Sequence, residues 1–404
     1  MNIDNITLNY IYKLIFDELT ILEFKSLTKL QQHSFIEAIF KSRAHFLILD
    51  FFNKHSDLKK NSYVYKKAKK ITSLSTMHSI IHYEESFRLN KIFKKNNLKF
   101  VFLKGIHLIN NYYDDFMYRP IRDIDILIDK SDIDEVINVL LKNGYSFQKD
   151  INHLNLVNFL NNSYDLPILV SASGAKLEVH FSIEKLVKNK TCAFTRDFLS
   201  DSKELNLNEH ALPTLSEEDL ILHLIYHGFK KQGPDVGVIF IADIYKVISA
   251  NKFNHSLLIK KARKYKLLSH LKIMIVLLCS KSNKKVFHDI NSMILYDINK
   301  DTLESLEFLF IRNDIYPEEI KLFQFLKKLE FKSTLNYFDS ESLNNTIINY
   351  NYKNRTLNMI IYQFLRIFRH FRILILTILK IIFSKSYRAQ VSKLKRVLFL
   401  INKF

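Results

Sequence analysis

Asp123 and Asp125 stand two residues apart in the segment RDIDILI (122–128). Its alternation of acidic and apolar residues predicts a strand, from which positions two apart emerge on the same face. Two carboxylates held side by side repel, and each raises the other's pKa unless a cation lies between them. Hard oxygen ligands suit magnesium, which takes one or two protein carboxylates and completes its shell with water and substrate phosphate. Two such ions can stabilise both the attacking and the leaving oxygen of a phosphoryl-type displacement. An isolated Asp-X-Asp is more often just the polar face of an edge strand, so the surroundings decide.

A second expected strand, KLEVHF (176–181), follows a turn at Gly174 and carries Glu178, a third carboxylate, with His180 on the same face. KFVFL (99–103) is short, aromatic and β-branched, which predicts a buried strand. Lys104 and Gly105 then form a turn into a helix over 106–113. Glycine at such a turn permits close backbone approach, a helix N-terminus attracts anions, and Lys104 adds a point charge. Arg119 and Arg122 flank the acids, either to clamp phosphate or to offset negative charge.

These pieces need a frame. Apolar residues recur at three- and four-residue steps over 7–60 and 63–97, which predicts amphipathic helices. Ser131 with Asp134 resembles a capping box for a helix ending near Asn143, where Gly144 suits a left-handed stop. Strand–helix–strand–helix–strand over about 98–185 predicts a small α/β unit. Ser216 to Asp219 (SEED) opens another helix, and helices are expected to run to the C-terminus with loops at 283–300 and 338–354. The fold class is α+β: a helical region 1–97, a small mixed-sheet α/β domain 98–212, a helical domain 213–340 and a basic helical segment 341–404. With only 6 Gly and 5 Pro in 404 residues, helix breakers are scarce.

His223 and His227 are four apart on an expected helix, a spacing that also suits zinc. No Glu follows the first His, so the zinc-protease pattern is absent. A structural or substrate-pocket role is the expectation, with Asp243 available to orient one of them and His180 to position substrate. Two distant cysteines, Cys192 and Cys279, argue against a disulfide framework or a zinc module. The longest notable apolar run, 373–379, is far short of a bilayer span. The expected location is cytoplasmic, with peripheral contact at the inner membrane surface in view.

The net charge of +19 is uneven: 342–404 holds 12 Lys and Arg and no Asp or Glu. Within it, Gln363, Arg366, Arg369, His370, Thr377 and Lys380 share one side of a helical wheel. Such a helix either buries its apolar face in a bundle or lies on an anionic surface, and the charge equally suits nucleic acid.

At the carboxylates the sequence resembles the nucleotidyltransferase superfamily whose catalytic domain is shared with DNA polymerase beta. It resembles more closely a bacterial family of uncharacterised nucleotidyltransferases. FVFLKGIHLI (100–109), RPIRDIDILID (119–129), KNGYSF (142–147), KLEVHFSI (176–183) and the stretch 216–248 carry the likeness, over roughly 80–270. The superfamily usually has Gly-Gly or Gly-Ser where Lys104-Gly105 stands, and more often Asp at 178. The resemblance implies a palm-like fold, two Mg2+ ions and an NTP donor, ATP among them. It assigns Lys104 and Gly105 to the phosphate turn, Asp123 and Asp125 to the metals and Glu178 to the third acid. The expected activity is transfer of NMP to an acceptor (sugar, peptide, protein or RNA) with release of pyrophosphate. The alternative is a catalytically inactive nucleotide sensor or scaffold docking to membrane or nucleic acid through 342–404.

Overall fold

The computed structural model describes residues 5–294, apart from residues 43, 59–61, 150–155, 158, 161–162, 184–192, 208–209 and 232–236. The basic segment 342–404 and the loop expected at 338–354 lie outside the described residues. Every element named below belongs to one compact unit.

Four helices open the chain: α1 (Asn5–Ile15), α2 (Ile21–Ser26), α3 (Lys29–Lys41) and α4 (His45–Lys54). Thr20 and Thr28 cap α2 and α3 with reciprocal boxes to Glu23 and Gln31, satisfying N–H groups that a helix start leaves orphaned. Phe24 meets Phe35, Phe51 and Phe52 edge to face, which closes this bundle.

α5 (Tyr63–Lys95) spans 33 residues, about 50 Å. It buries polar as well as apolar side chains, and the polar ones hold backbone far away in sequence. Ser79 Oγ accepts from the amide of Ile121 at 2.9 Å, and His82 Nε2 from the amide of Lys176 at 3.2 Å. Glu85 accepts from the Tyr145 hydroxyl at 2.5 Å and from Ser173 Oγ at 3.0 Å. The helix therefore fixes the chain just ahead of the strand that carries Asp125 and at the first residue of the strand that carries Glu178.

The sheet follows: β1 (Phe100–Phe102), β2 (Ile124–Ile128), β3 (Ser146–Phe147), β4 (Leu169–Val170), β5 (Lys176–His180), β6 (Lys203–Leu207) and β7 (His210–Thr214), in the order β3-β4-β5-β2-β1-β7-β6. β1 runs antiparallel to β2 and parallel to β7, and β5 parallel to β2. The sheet is thus mixed and the chain α+β, with helical flanks as expected. α6 (Gly105–Tyr112) leaves β1 directly, and α7 (Ile133–Lys142) returns from β2.

Two local expectations fail. Asp129, not Ser131, supplies the cap: it accepts from the Ser131 amide at the start of a short 3-10 turn, and Asp132, in the cap position of α7, makes no side-chain cap bond. The Ser131 hydroxyl is instead turned to the carboxylates of Asp129 and Asp132, to which it donates. The loop expected at 283–300 contains α13 (Lys285–Ile294), because Val286, Phe287, Ile290 and Ile294 form a buried stripe. Between these, α8 (Ala193–Ser200) precedes the β6–β7 hairpin, then come α9 (Glu217–Ile225), a π-turn (Tyr226–Lys231), α10 (Gly237–Ser249), α11 (His255–Lys264) and α12 (Leu268–Lys281). Gly144 and Gly174 do adopt left-handed φ of 84° and 85°.

Among the described residues, no helix is long and apolar enough to cross a membrane.

Candidate active site

Strand pairing alone brings the expected acids together. In the parallel β2–β5 pair, Asp125 and Glu178 are direct Cα partners, so both project from one face of adjacent strands. Two residues further along β5, His180 shares that face. The antiparallel β1–β2 pair sets the end of β1 against the start of β2, and the Leu103 amide donates to the Asp125 carbonyl at 3.1 Å. Lys104 therefore arrives beside Asp125, its Nζ 3.2 Å from Oδ2.

The electrostatics are those of a crowded, dry acidic site. Asp125 is 6% exposed. Burial raises its carboxyl, but Lys104 and His180 outweigh that and hold it well below the usual range. Asp123, at the mouth of β2, is pushed up to about 7, first by burial and then by the charge of Asp125. Burial opposes charge on Lys104, yet Asp125 and Asp123 raise its pKa, so the ammonium is the standing counter-ion of the acids.

His180 Nε2 lies 3.3 Å from Asp125 Oδ1 and 3.8 Å from Glu178 Oε2. One donor atom from each of Asp125, Glu178 and His180 falls within 4.8 Å of the others, which gives these three the geometry of a cation site. Two hard carboxylate oxygens and an imidazole nitrogen in mutual reach fit a divalent ion.

α9 supplies the opposite wall. Ser216 caps it, as the SEED motif predicts, accepting from the Asp219 amide. Its buried face turns His223 towards the carboxylates. Lys104, Asp125, His180, Ser182, His223 and His227 line one cavity. His223 is 5% exposed, and neither ring nitrogen has a hydrogen-bond partner among the described residues. Burial, then the charge of Lys104, hold its pKa well below the normal value, so the ring is neutral. His227 sits on the π-turn, its ring centroid 6.2 Å from that of His223.

Gly228 fixes that turn. A Cβ built there would stand 2.4 Å from the Phe240 ring, closer than packed atoms approach. We expect Gly228→Ala to lower stability by about 1–3 kcal/mol, the range for overpacking a core. Chemical denaturation against the unsubstituted protein measures it, and an unchanged midpoint would show that Phe240 moves aside freely.

The remaining expected residues take other places. Gly105 starts α6, and a Cβ there would make ordinary contacts with Ile121 at 3.4 Å and the Asp123 carbonyl oxygen at 3.8 Å. The Arg119 guanidinium is engaged by Asp243, with Nε 2.8 Å from Oδ1 and Nη2 2.9 Å from Oδ2. Asp243 was expected to orient a histidine. Instead its Oδ1 also accepts from the Tyr113 hydroxyl at 2.7 Å, so both oxygens are taken. Arg122 is exposed, and its charge adds to burial in holding His45 down to about 4. Cys279 is half-buried, and burial pushes its thiol up to about 11, which suits a packing residue better than a nucleophile.

Two residues of the site escape sequence reasoning. Asp165 forms an isolated antiparallel bridge with His180 and faces its Nδ1 at 3.9 Å, and Tyr164 stacks on the same ring. Both lie in an irregular segment with no periodicity to place them.

The site is thus set on a mixed sheet: in-register acids on neighbouring strands, a lysine at the preceding strand-to-helix turn and a helix closing the cavity. The sequence model for a family described as uncharacterised nucleotidyltransferases matches residues 28–280, more than half of the chain. The chain belongs to that family. No curated protein matches it. Membership in the nucleotidyltransferase family implies transferase activity and an NTP substrate. The matched region begins in the N-terminal helices and ends in α12, so it includes every residue of the cavity.

Proposed function

We propose that this nucleotidyltransferase moves an NMP group from an NTP to an acceptor hydroxyl or phosphate, with pyrophosphate as the leaving group. The observation that carries the reading is the Asp125–Glu178 register beside the Lys104 ammonium. Asp123 and Asp125 would hold one divalent ion, and Asp125 with Glu178 the other. For carboxylates alone, magnesium is the fitting choice. Bound ions of this kind neutralise charge on the transferred phosphoryl group and lower the pKa of the attacking hydroxyl.

The protein's own contributions are positional and electrostatic. Lys104 offers a fixed positive charge where phosphate oxygens would approach the carboxylates. The α9 wall excludes water from the buried side of the site, which strengthens each charge interaction inside it. His223, neutral and unpartnered, is available to donate to or accept from a bound substrate. Because Arg119 already serves Asp243, we assign it to tethering the loop before β2 rather than to clamping phosphate.

Calorimetric titration of ATP, GTP, CTP and UTP with magnesium, beside the Asp123→Ala/Asp125→Ala variant, tests the reading. Magnesium-dependent binding of one NTP, at least 100-fold weaker in the variant, is expected. Equal binding by both proteins would overturn it. Tight binding with no pyrophosphate release in the presence of candidate acceptors would favour the nucleotide-sensing alternative.

A further inference from the structure

Building on the proposed two-ion site, we propose that His180 Nε2 is a nitrogen ligand of the ion shared by Asp125 and Glu178, that Asp165 orients the ring, and that this position selects Mn2+ over Mg2+. Asp123 plays no part in this ion, so the other position keeps its all-oxygen character.

The imidazole nitrogen is within reach of an ion held by either acid. Two donors about 2.1 Å from one ion can stand no more than about 4.2 Å apart. His180 Nε2 is 3.3 Å from Asp125 Oδ1 and 3.8 Å from Glu178 Oε2. The three side chains leave one face of two adjacent strands, so their approach is built into the backbone register. Asp125 and His180 are buried while Glu178 is half-buried, which leaves one side open to water and substrate.

The other edge of the ring faces an acid as well. An ion taken at Nε2 leaves Nδ1 to carry the ring's N–H, on the side where Asp165 Oδ2 stands 3.9 Å away. Asp165 then completes the carboxylate–histidine–metal series in which the outer acid fixes tautomer and ring orientation. Its backbone bridge to His180 and the parallel stacking of Tyr164 hold that alignment.

An independent sign that something enters this cavity is His223, 5% exposed with both nitrogens unpartnered. A buried polar ring without a partner is costly unless a ligand or water satisfies it.

The donor set decides the ion. Magnesium takes oxygen ligands almost exclusively, whereas first-row transition ions accept imidazole readily, and Mn2+ is the one among them most tolerant of carboxylates and water.

Titration of Mn2+ into the full chain, followed by loss of the free-ion electron paramagnetic resonance signal, tests the proposal with Mg2+ as competitor. Expected are Mn2+ binding at least tenfold tighter than Mg2+ and, in pulsed spectra, coupling to a 14N nucleus. His180→Gln should lose that coupling and weaken Mn2+ at least tenfold, with Mg2+ changed less than threefold. Asp165→Asn should keep the coupling and weaken Mn2+ by about threefold to tenfold. Bound Mn2+ without nitrogen coupling, or coupling that survives His180→Gln, overturns the assignment, and equal losses for both ions make His180 a positioning residue. Should His180→Gln fail to fold, coupling that persists in both His223→Gln and His227→Gln upholds His180 as the donor, and its loss in either overturns the assignment. Nitrogen-coupled Mn2+ with no NTP binding would uphold this centre while refuting nucleotidyl transfer; NTP binding without such coupling would do the reverse.

Discussion

Replacing Lys104 by Met is expected to lower stability by about 3–5 kcal/mol in EDTA, the usual consequence of removing one partner from a buried ion pair. That corresponds to a fall of roughly 10 °C in Tm for a domain of this size. The pair is buried on both sides, with side-chain exposures of 17% for Lys104 and 3% for Asp125. Loss of the ammonium leaves Asp125, Asp123 and Glu178 to repel one another with no fixed counter-charge. Because those are the residues assigned to divalent ions, added Mg2+ or Mn2+ should restore much of the loss by binding only the folded state. Differential scanning calorimetry with and without the ions measures both parts. The unsubstituted protein should gain less from them, since Lys104 already serves as counter-ion. A Lys104→Met protein whose Tm ignores divalent ions would count against the carboxylates as a metal site.

The second large effect is expected at Arg119 and Asp243. Their bidentate pair is buried, with exposures of 13% and 3%, and it links the loop before β2 to α10. Asp243→Asn and Arg119→Met should each destabilise by about 3–5 kcal/mol, because each leaves the other charge buried alone. Arg119→Met/Asp243→Leu together should cost less than the sum, with a coupling above about 1 kcal/mol in a double-mutant cycle. Additive losses in urea denaturation would mean that the two residues act independently, and would reopen Arg119 as a phosphate clamp. Tyr113, which also donates to Asp243, limits the recovery by losing its acceptor in the double variant.

How far the sequence anticipated this depends on the range of the interaction concerned. Alternation over 122–128 and 176–181 announced β2 and β5, because each strand's period is local and its acids break an apolar run. Gly144 and Gly174 marked real turns, since left-handed backbone leaves a signature in residue choice. The β6–β7 hairpin did not show: KELNL and HALPT carry mixed polarity, and Pro213 reads against a strand. At two residues each, β3 and β4 are too short to show a period. Asp243 and Arg119 lie 124 positions apart, and nothing in either neighbourhood announces the other. The proximity of Asp125, Glu178 and His180 was half legible: same-face spacing predicted their direction, while the parallel pairing that makes Asp125 and Glu178 neighbours is a property of the whole sheet.

α5 makes its two backbone attachments to these strands from Ser79 and His82, three residues apart. Three residues of helix advance about 4.5 Å, and neighbouring strands lie about 4.8 Å apart. The helix pitch thus works as a gauge block for the sheet: one element sets where β2 and β5 each begin, and with them the separation of their acids. An insertion of a single residue between Ser79 and His82 would turn one attachment by about 100° relative to the other. It would detune the chemistry through residues outside the cavity, with every residue that lines it unchanged.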